Sequence, residues 1–194
     1  MVLQPGEIPA GLQPLGNEFS TNAETISGIG LGPTLEQLEK WGRVLGYKSE
    51  FQTAAPPSIT SVAALSTSVS VYKSATGATD SLTDREEKAR SVDWQQSHSD
   101  LEEFQQTEPA RELPVDQALW LRFTGYQELR PGVRNLVIDD QIAFRVGEAW
   151  GFLGVISTAA EGETDRDILL PEVEVLVRTQ IEHMRNALAS AFSE

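Results

Sequence analysis

Three segments of alternating apolar and other residues follow one another in the second half of the chain with little between them. Gln117 to Tyr126 sets Leu119, Leu121 and Phe123 one way and Trp120 and Arg122 the other. Asn135 to Val146 carries Leu136, Ile138, Ile142, Phe144 and Val146, and Ala149 to Thr158 carries Trp150, Phe152, Val155 and Ile156. Alternation with period two marks half-buried strands. Gly147-Glu148 is a two-residue turn signal. Strands joined this closely pair antiparallel, because a parallel pair needs a crossover of a dozen or more residues. The expected fold class is therefore α+β: an antiparallel meander sheet of about five strands, covered on one face by helices. Strict strand–helix–strand alternation is missing, which argues against a doubly wound nucleotide fold.

The remaining elements fit around that sheet. Thr34 to Leu45 reads as a helix, with Thr34 as N-cap, Gln37 at capping-box spacing, and Leu35, Leu38, Trp41 and Leu45 on one face. Gly46 is expected to end it, and Gly42 inside it to cost about 0.5–1 kcal/mol relative to alanine. Tyr47 to Thr53 alternates as a strand that ends before Pro56-Pro57, and the Val/Thr/Ser-rich stretch Ile59 to Lys73 reads as one bulged strand or two short ones. Tyr72, Ala75, Ala78 or Thr79, Leu82 and Ala89 trace a helical stripe to about Arg90. A second helical piece is expected through Phe104, closed by Pro109 and Pro114. Asp139-Asp140 offers a point at which the middle strand of the meander could split. After an acidic loop at 159–167, a long C-terminal helix runs from Leu169 or Pro171 to Phe192 on the stripe Val173, Val177, Ile181, Met184 and Leu188.

Residues 1–33 carry Glu7, Glu18 and Glu24, no Lys or Arg, and Pro5, Pro9, Pro14 and Pro33. Their composition is tether-like, yet Leu3, Ile8, Leu12, Leu15 and Phe19 are too apolar for a free linker. The expected organisation is an extended N-terminal arm, 1–33, docked on a single α+β domain, 34–194.

Charge and composition narrow the function. Fifteen Lys and Arg stand against 29 Asp and Glu, a formal charge of −14. Binding to nucleic acid, which needs clustered cations, is not expected, nor is adhesion to an anionic membrane surface. With no cysteine, thiol catalysis and Cys-ligated metals are excluded. No apolar run approaches the roughly 18 residues of a membrane span. The chain starts Met-Val-Leu-Gln-Pro-Gly-Glu with no basic-apolar leader, so the compartment is either cytoplasmic or, favoured by the tether-like start, extracytoplasmic as the mature part of a secreted or lipid-anchored precursor.

No pattern assembles a catalytic or metal site. Gly28-Ile-Gly30-Leu-Gly32-Pro33 lacks the Lys-Ser/Thr of a P-loop and a strand before it. His98 and His183 are the only histidines and no Gly-x-Ser-x-Gly elbow is present. Asp139-Asp140, Glu102-Glu103 and Glu172/Glu174 are neighbours in sequence, whereas a carboxylate pair for hydrolysis must face across a cleft. The acid-rich stretch 80–112 lacks calcium-loop spacing. No catalytic residue, metal ligand or cofactor is assigned. Trp120, Trp150 and Tyr126 are candidates for an aromatic platform if they share the face away from the helices, and Arg122 and Arg145 for an anion site unless paired with acids across strands.

The stretches Leu3 to Leu12, Trp41 to Tyr47 (Trp-Gly-Arg-Val-Leu-Gly-Tyr) and Phe144 to Gly147 (Phe-Arg-Val-Gly) resemble those of uncharacterised exported bacterial domains, mature lipoprotein-type proteins of unknown function. The resemblance implies an exported domain and supplies no reaction. The leading expectation is a non-enzymatic extracytoplasmic binding or interaction domain, monomer or homodimer, for an unidentified protein or small ligand. The alternatives are a small hydrolase with a carboxylate or serine site assembled in the tertiary structure, and a carrier of an apolar ligand between sheet and helices.

Overall fold

A computed structural model describes residues 1–25, 32–54 and 60–191. The Gly28–Gly30 part of the glycine run, the Pro56-Pro57 stop and Phe192 lie outside them. The fold is α+β, built on one antiparallel sheet of seven strands in the order β1-β2-β3-β7-β6-β5-β4. The strands are β1 (Leu12–Ser20), β2 (Arg43–Thr53), β3 (Ser61–Tyr72), β4 (Glu102–Thr107), β5 (Gln117–Arg130), β6 (Val133–Val146) and β7 (Ala149–Thr158). The helices are α1 (Asn22–Thr25), α2 (Leu35–Trp41), α3 (Ala75–Ser91), α4 (Trp94–Ser97) and α5 (Leu170–Ala191). Two meanders, β1-β2-β3 and β5-β6-β7, join edge to edge where β3 pairs with β7.

The sheet has two strands more than expected, and both are edges. β1 runs through part of the proline-containing N-terminal stretch and tolerates Pro14 because an edge strand need not donate along its outer side. The helical piece expected through Phe104 shortens to α4, and β4 takes the residues from Glu102 onward. Glu102 to Thr107 is polar because an outer strand needs only one inward anchor, Phe104, which packs on Phe123. β6 runs unbroken through Asp139-Asp140.

Helix α2 begins as the sequence predicts. The Thr34 hydroxyl accepts from the Gln37 amide at 3.2 Å, and Gln37 returns a bond to the Thr34 amide at 2.8 Å. It ends four residues earlier than expected. Gly42 sits at φ 71° as the left-handed cap, so it terminates the helix rather than interrupting it. Gly46 has another task inside β2: a Cβ there would fall 2.0 Å from Nη2 of Arg43, whose guanidinium crosses that point.

Residues opposite each other across strands share a face. Trp120, Ile142, Leu153 and Thr67 form one row, and Gln117, Arg145, Trp150 and Ser70 another on the opposite face. Helices cover both faces rather than one. On the first, α5 lays Val173, Val177, Ile181 and Met184 on Phe144, Leu153 and Val155, all essentially buried. Each such side chain contributes about 1.5–3 kcal/mol. Val2 and Leu3 join this core, and His183 holds them from α5 through the Val2 carbonyl at 3.1 Å and Glu7 at 2.9 Å. On the second face, α2 and α3 pack together around Leu38, Trp41, Tyr72 and Ala78. The two helices meet closely at Gly77, where a Cβ would fall 1.9 Å from the Trp41 carbonyl oxygen.

Candidate functional site

The five residues singled out by sequence are divided between the two faces. Trp120, Arg122 and Tyr126 lie on the α5 face; Trp150 and Arg145 lie on the α3 face. A platform joining Trp120 to Trp150 is therefore not formed. The odd and even positions of β5 and β7 fall in opposite phase across β6, which sequence spacing does not reveal.

The α5-face group is structural. Arg122, 1% exposed, reaches across to Asp140, 0% exposed, at 2.6 Å. Trp120 donates to the other oxygen of Asp140 at 2.8 Å. Arg122 also donates to the carbonyls of Arg166 at 3.0 Å and Ile168 at 2.7 Å, fixing the loop that leads into α5. Burial pushes the Asp140 carboxyl above its ordinary range, opposed by the Arg122 charge and the two hydrogen bonds. Tyr126 lies beneath Arg134 and Arg166, whose guanidinium carbons stand 4.2 and 5.3 Å from its ring centre. On the other face Arg145 stands opposite Trp150 across β6 and β7, but binds Asp116 at 3.0 Å and the Gly147 carbonyl at 2.9 Å. Arg122 and Arg145 are thus each paired with a carboxylate.

Trp150 opens onto a different arrangement. A cleft of about 410 Å³ lies between the α3 face of β2 and β3 and the helices α2 and α3. Its floor carries Ser68 and Ser70, alternate residues of β3, and one wall carries Trp41, Tyr72 and Trp150. The Trp150 indole donates to the Tyr72 hydroxyl and, at 3.2 Å, to the Ser81 hydroxyl; Tyr72 and Ser81 are 2.7 Å apart. Burial raises the Tyr72 pKa, so its phenol stays protonated at neutral pH.

Two guanidiniums line this cleft. Arg43 is held by oxygens that carry no charge: Ser70 Oγ at 3.1 Å, the Ser20 carbonyl at 3.1 Å, Asn22 Oδ1 at 3.1 Å and Ser20 Oγ at 2.8 Å. Arg85, on α3, makes no hydrogen bond or ion pair with any described residue. Its guanidinium carbon lies 4.7 Å from the ring centre of Phe152 and 5.9 Å from that of Trp150. Burial pulls the pKa of both arginines down; Arg43 is buried, whereas Arg85 is half-buried. The acids that line the cleft are Glu18, Glu24 and Asp84. Asp84 is held by Lys88 at 2.8 Å and Gln37 at 3.2 Å. Glu24 folds back on the Thr21 amide at 2.7 Å, which holds its carboxyl below the ordinary range.

Further along the same strands lies a second, open trough of about 310 Å³. Phe152 and Ile156 of β7 follow Trp150 on this face, and Leu15 closes the side from β1. Leu15 and Ile156 remain 58% and 44% exposed. Among the described residues no three His, Asp or Glu side chains converge as a metal site, and no helix is long and apolar enough to cross a membrane.

Arg85 is absent from the residues proposed by sequence, though a signal for it exists. Ala78, Leu82, Arg85 and Ala89 are spaced four, three and four apart, so Arg85 occupies a gap in the inward stripe of α3. The run Ser66, Ser68, Ser70 likewise marks a hydroxyl-lined floor by its period of two.

No protein-family model matches the chain, and no curated protein matches its sequence. Among solved structures it is similar to the extracellular domain of PknH from Mycobacterium tuberculosis, at 7% identity and a TM-score of 0.46, over 93% of this chain and 91% of that one. A likeness of this size transfers neither ligand nor activity.

Proposed function

We propose that this is a non-enzymatic extracytoplasmic binding domain, and that it binds in the cleft between its sheet and α2/α3. The observation that carries this is Arg85, a half-buried cation with no protein partner among the described residues, placed beside Trp150 in a cleft of about 410 Å³. Leaving a partly desolvated charge unmatched costs stability, and a site that serves a ligand accounts for that cost. A volume of this size suits a small molecule. The extracytoplasmic part rests on the tether-like composition of residues 1–33.

The hydrolase alternative has less support. Neither His98 nor His183 lines the cleft, and the serine beside Tyr72 and Trp150 has no base within its hydrogen bonds. The test of the binding reading is a fragment screen by protein-observed NMR on the full chain. Amide shifts are expected to gather on Ser66–Ser70, α3 and Trp150, and to vanish in Ser68→Phe, which fills the floor. Shifts confined to the α5 face, or unaffected by that substitution, would overturn the assignment. Turnover of an ester or glycoside panel, lost in a single cleft variant, would replace it with an enzyme.

A further inference from the structure

We propose that the ligand of this cleft is an amphiphilic organic oxyanion, with its carboxylate or phosphate head on Arg85 and its apolar body laid along Phe152 towards Ile156. The proposal rests on the cleft being the binding site and adds the chemistry of what enters it.

The argument runs along β7. Successive residues on one face of a strand stand about 7 Å apart, so Trp150, Phe152, Gly154 and Ile156 pave a straight path on the α3 face. At one end stands Arg85, over Phe152 and near Trp150, with its hydrogen-bond donors unused by any described residue. A guanidinium stacked on an aromatic ring keeps its edge donors free, and these match the two oxygens of a carboxylate or phosphate. Arg43 adds a second positive charge to the same cleft, held among the described residues by uncharged oxygens. Ser68 and Ser70 supply hydroxyls on the floor. At the other end the path becomes apolar and open, with Ile156 and Leu15 partly in water.

Charge favours this orientation. The acids at the trough end are Glu50 and Asp139. Glu50 binds Lys48 at 2.8 Å and Asp139 faces His98 at 3.4 Å. Lys48 is thus taken by Glu50, and no unpaired cation stands at that end among the described residues, so the head belongs at Arg85 and the tail at Ile156. The cleft-end acids Asp84 and Glu24 are already taken by Lys88 and Thr21, as described above, and leave Arg85 to an incoming anion. Glu18, the third, sits across from Lys48 on the neighbouring strand.

The test titrates the full chain with decanoate, decyl phosphate and decanol below their aggregation limits, and with inorganic phosphate, by calorimetry and amide NMR. One of the two decyl anions is expected to bind and shift the amides of Ser66–Ser70 and Trp150–Ile156, and the tighter of the two identifies the head. Decanol and Arg85→Gln are each expected to weaken binding by about 10- to 100-fold, the loss of one charge-assisted pair. Inorganic phosphate, which has no tail, is expected to bind far more weakly than decyl phosphate. The comparison of decanol with decanoate is made on the unaltered chain and needs no variant to fold. If decanol matches decanoate at the same residues, or Arg85→Gln binds unchanged, the head assignment is overturned while the cleft remains a binding site. If none of the probes shifts these residues but fragments of other chemistry do, the oxyanion is overturned alone. If nothing shifts them, the cleft reading falls as well.

Discussion

Arg122 and Arg85 are both guanidiniums drawn away from bulk water onto the same sheet, one on each face, and they are treated oppositely. Arg122 has a carboxylate, two backbone carbonyls and a complete set of neighbours. Arg85 has two aromatic faces and no described acceptor. The α5 face is closed over by a 22-residue helix and the first residues of the chain. The α3 face is closed only over part of its width, because α2 and α3 roof one end and leave the trough beyond Phe152 open. A buried charge with a full set of partners stabilises its loop and is unavailable. A half-buried charge without them is available.

The largest effect that tests this contrast is at Arg122. Replacing it with Met leaves Asp140 buried and unpaired and releases the carbonyls of Arg166 and Ile168. The expected cost is about 3–5 kcal/mol in urea denaturation. Adding Asp140→Leu is expected to recover part of that loss, because the uncompensated carboxylate then disappears. If Arg122→Met alone unfolds at the wild-type urea concentration, the pair is not the anchor of the α5 face.

Gly77→Ala comes next and acts on the roof of the other face. The added methyl meets the Trp41 carbonyl, a backbone atom with no room to give. A loss of about 1–3 kcal/mol is expected from forced separation of α2 and α3, together with weaker binding of any cleft ligand. Unchanged stability would mean the two helices are not seated on one another.

Arg85→Leu sharpens the contrast by its small size. It removes cation–aromatic contacts of about 0.5–1 kcal/mol and relieves a desolvated charge. The net change in stability is expected within about 1 kcal/mol of zero, of either sign, by the same denaturation experiment. A loss comparable to that of Arg122→Met would place Arg85 among the structural residues.

What the sequence disclosed follows from how much each element must bury. The stripe of α5 and the strands β5 to β7 pack against something along their whole length, so their periodicity is complete, and the Thr34/Gln37 capping box forms as written. The edges β1 and β4 bury little and therefore alternate little, which is why Glu102 to Phe104 reads as helix. On paper Gly46 is the stop and Gly42 an interior glycine, and the structure reverses them. Their roles separate only through tertiary contact, since Arg43 must reach Ser20 and Ser70 across Gly46. For the site, Trp150 was legible as an aromatic of interest, whereas Arg85 was hidden within the charge run of α3, where most neighbours are solvated and pair with each other, as Glu86 does with Arg90 at 3.0 Å.

The adjacent acids of β6 bring the comparison down to one dipeptide. Strand geometry sends them to opposite faces: Asp140 goes under α5 to Arg122, and Asp139 goes to His98 on the α3 face at 3.4 Å. His98 also bonds the Trp94 carbonyl at 2.9 Å and stacks on Phe104 and Phe123. The hydrogen bond to Asp139 is the main cause that raises its pKa above the ordinary 6.5, helped by Trp94 and the charges of Asp139 and Asp100 and opposed by burial. A raised folded-state value means the folded form holds the proton more tightly. The stabilisation is complete below pH 6.5 and is lost as pH rises through the folded-state pKa. The urea midpoint is therefore expected to fall modestly over that interval, and Asp139→Asn to flatten the fall. A slope that survives Asp139→Asn would assign it to other groups, and the two acids would then differ in burial alone.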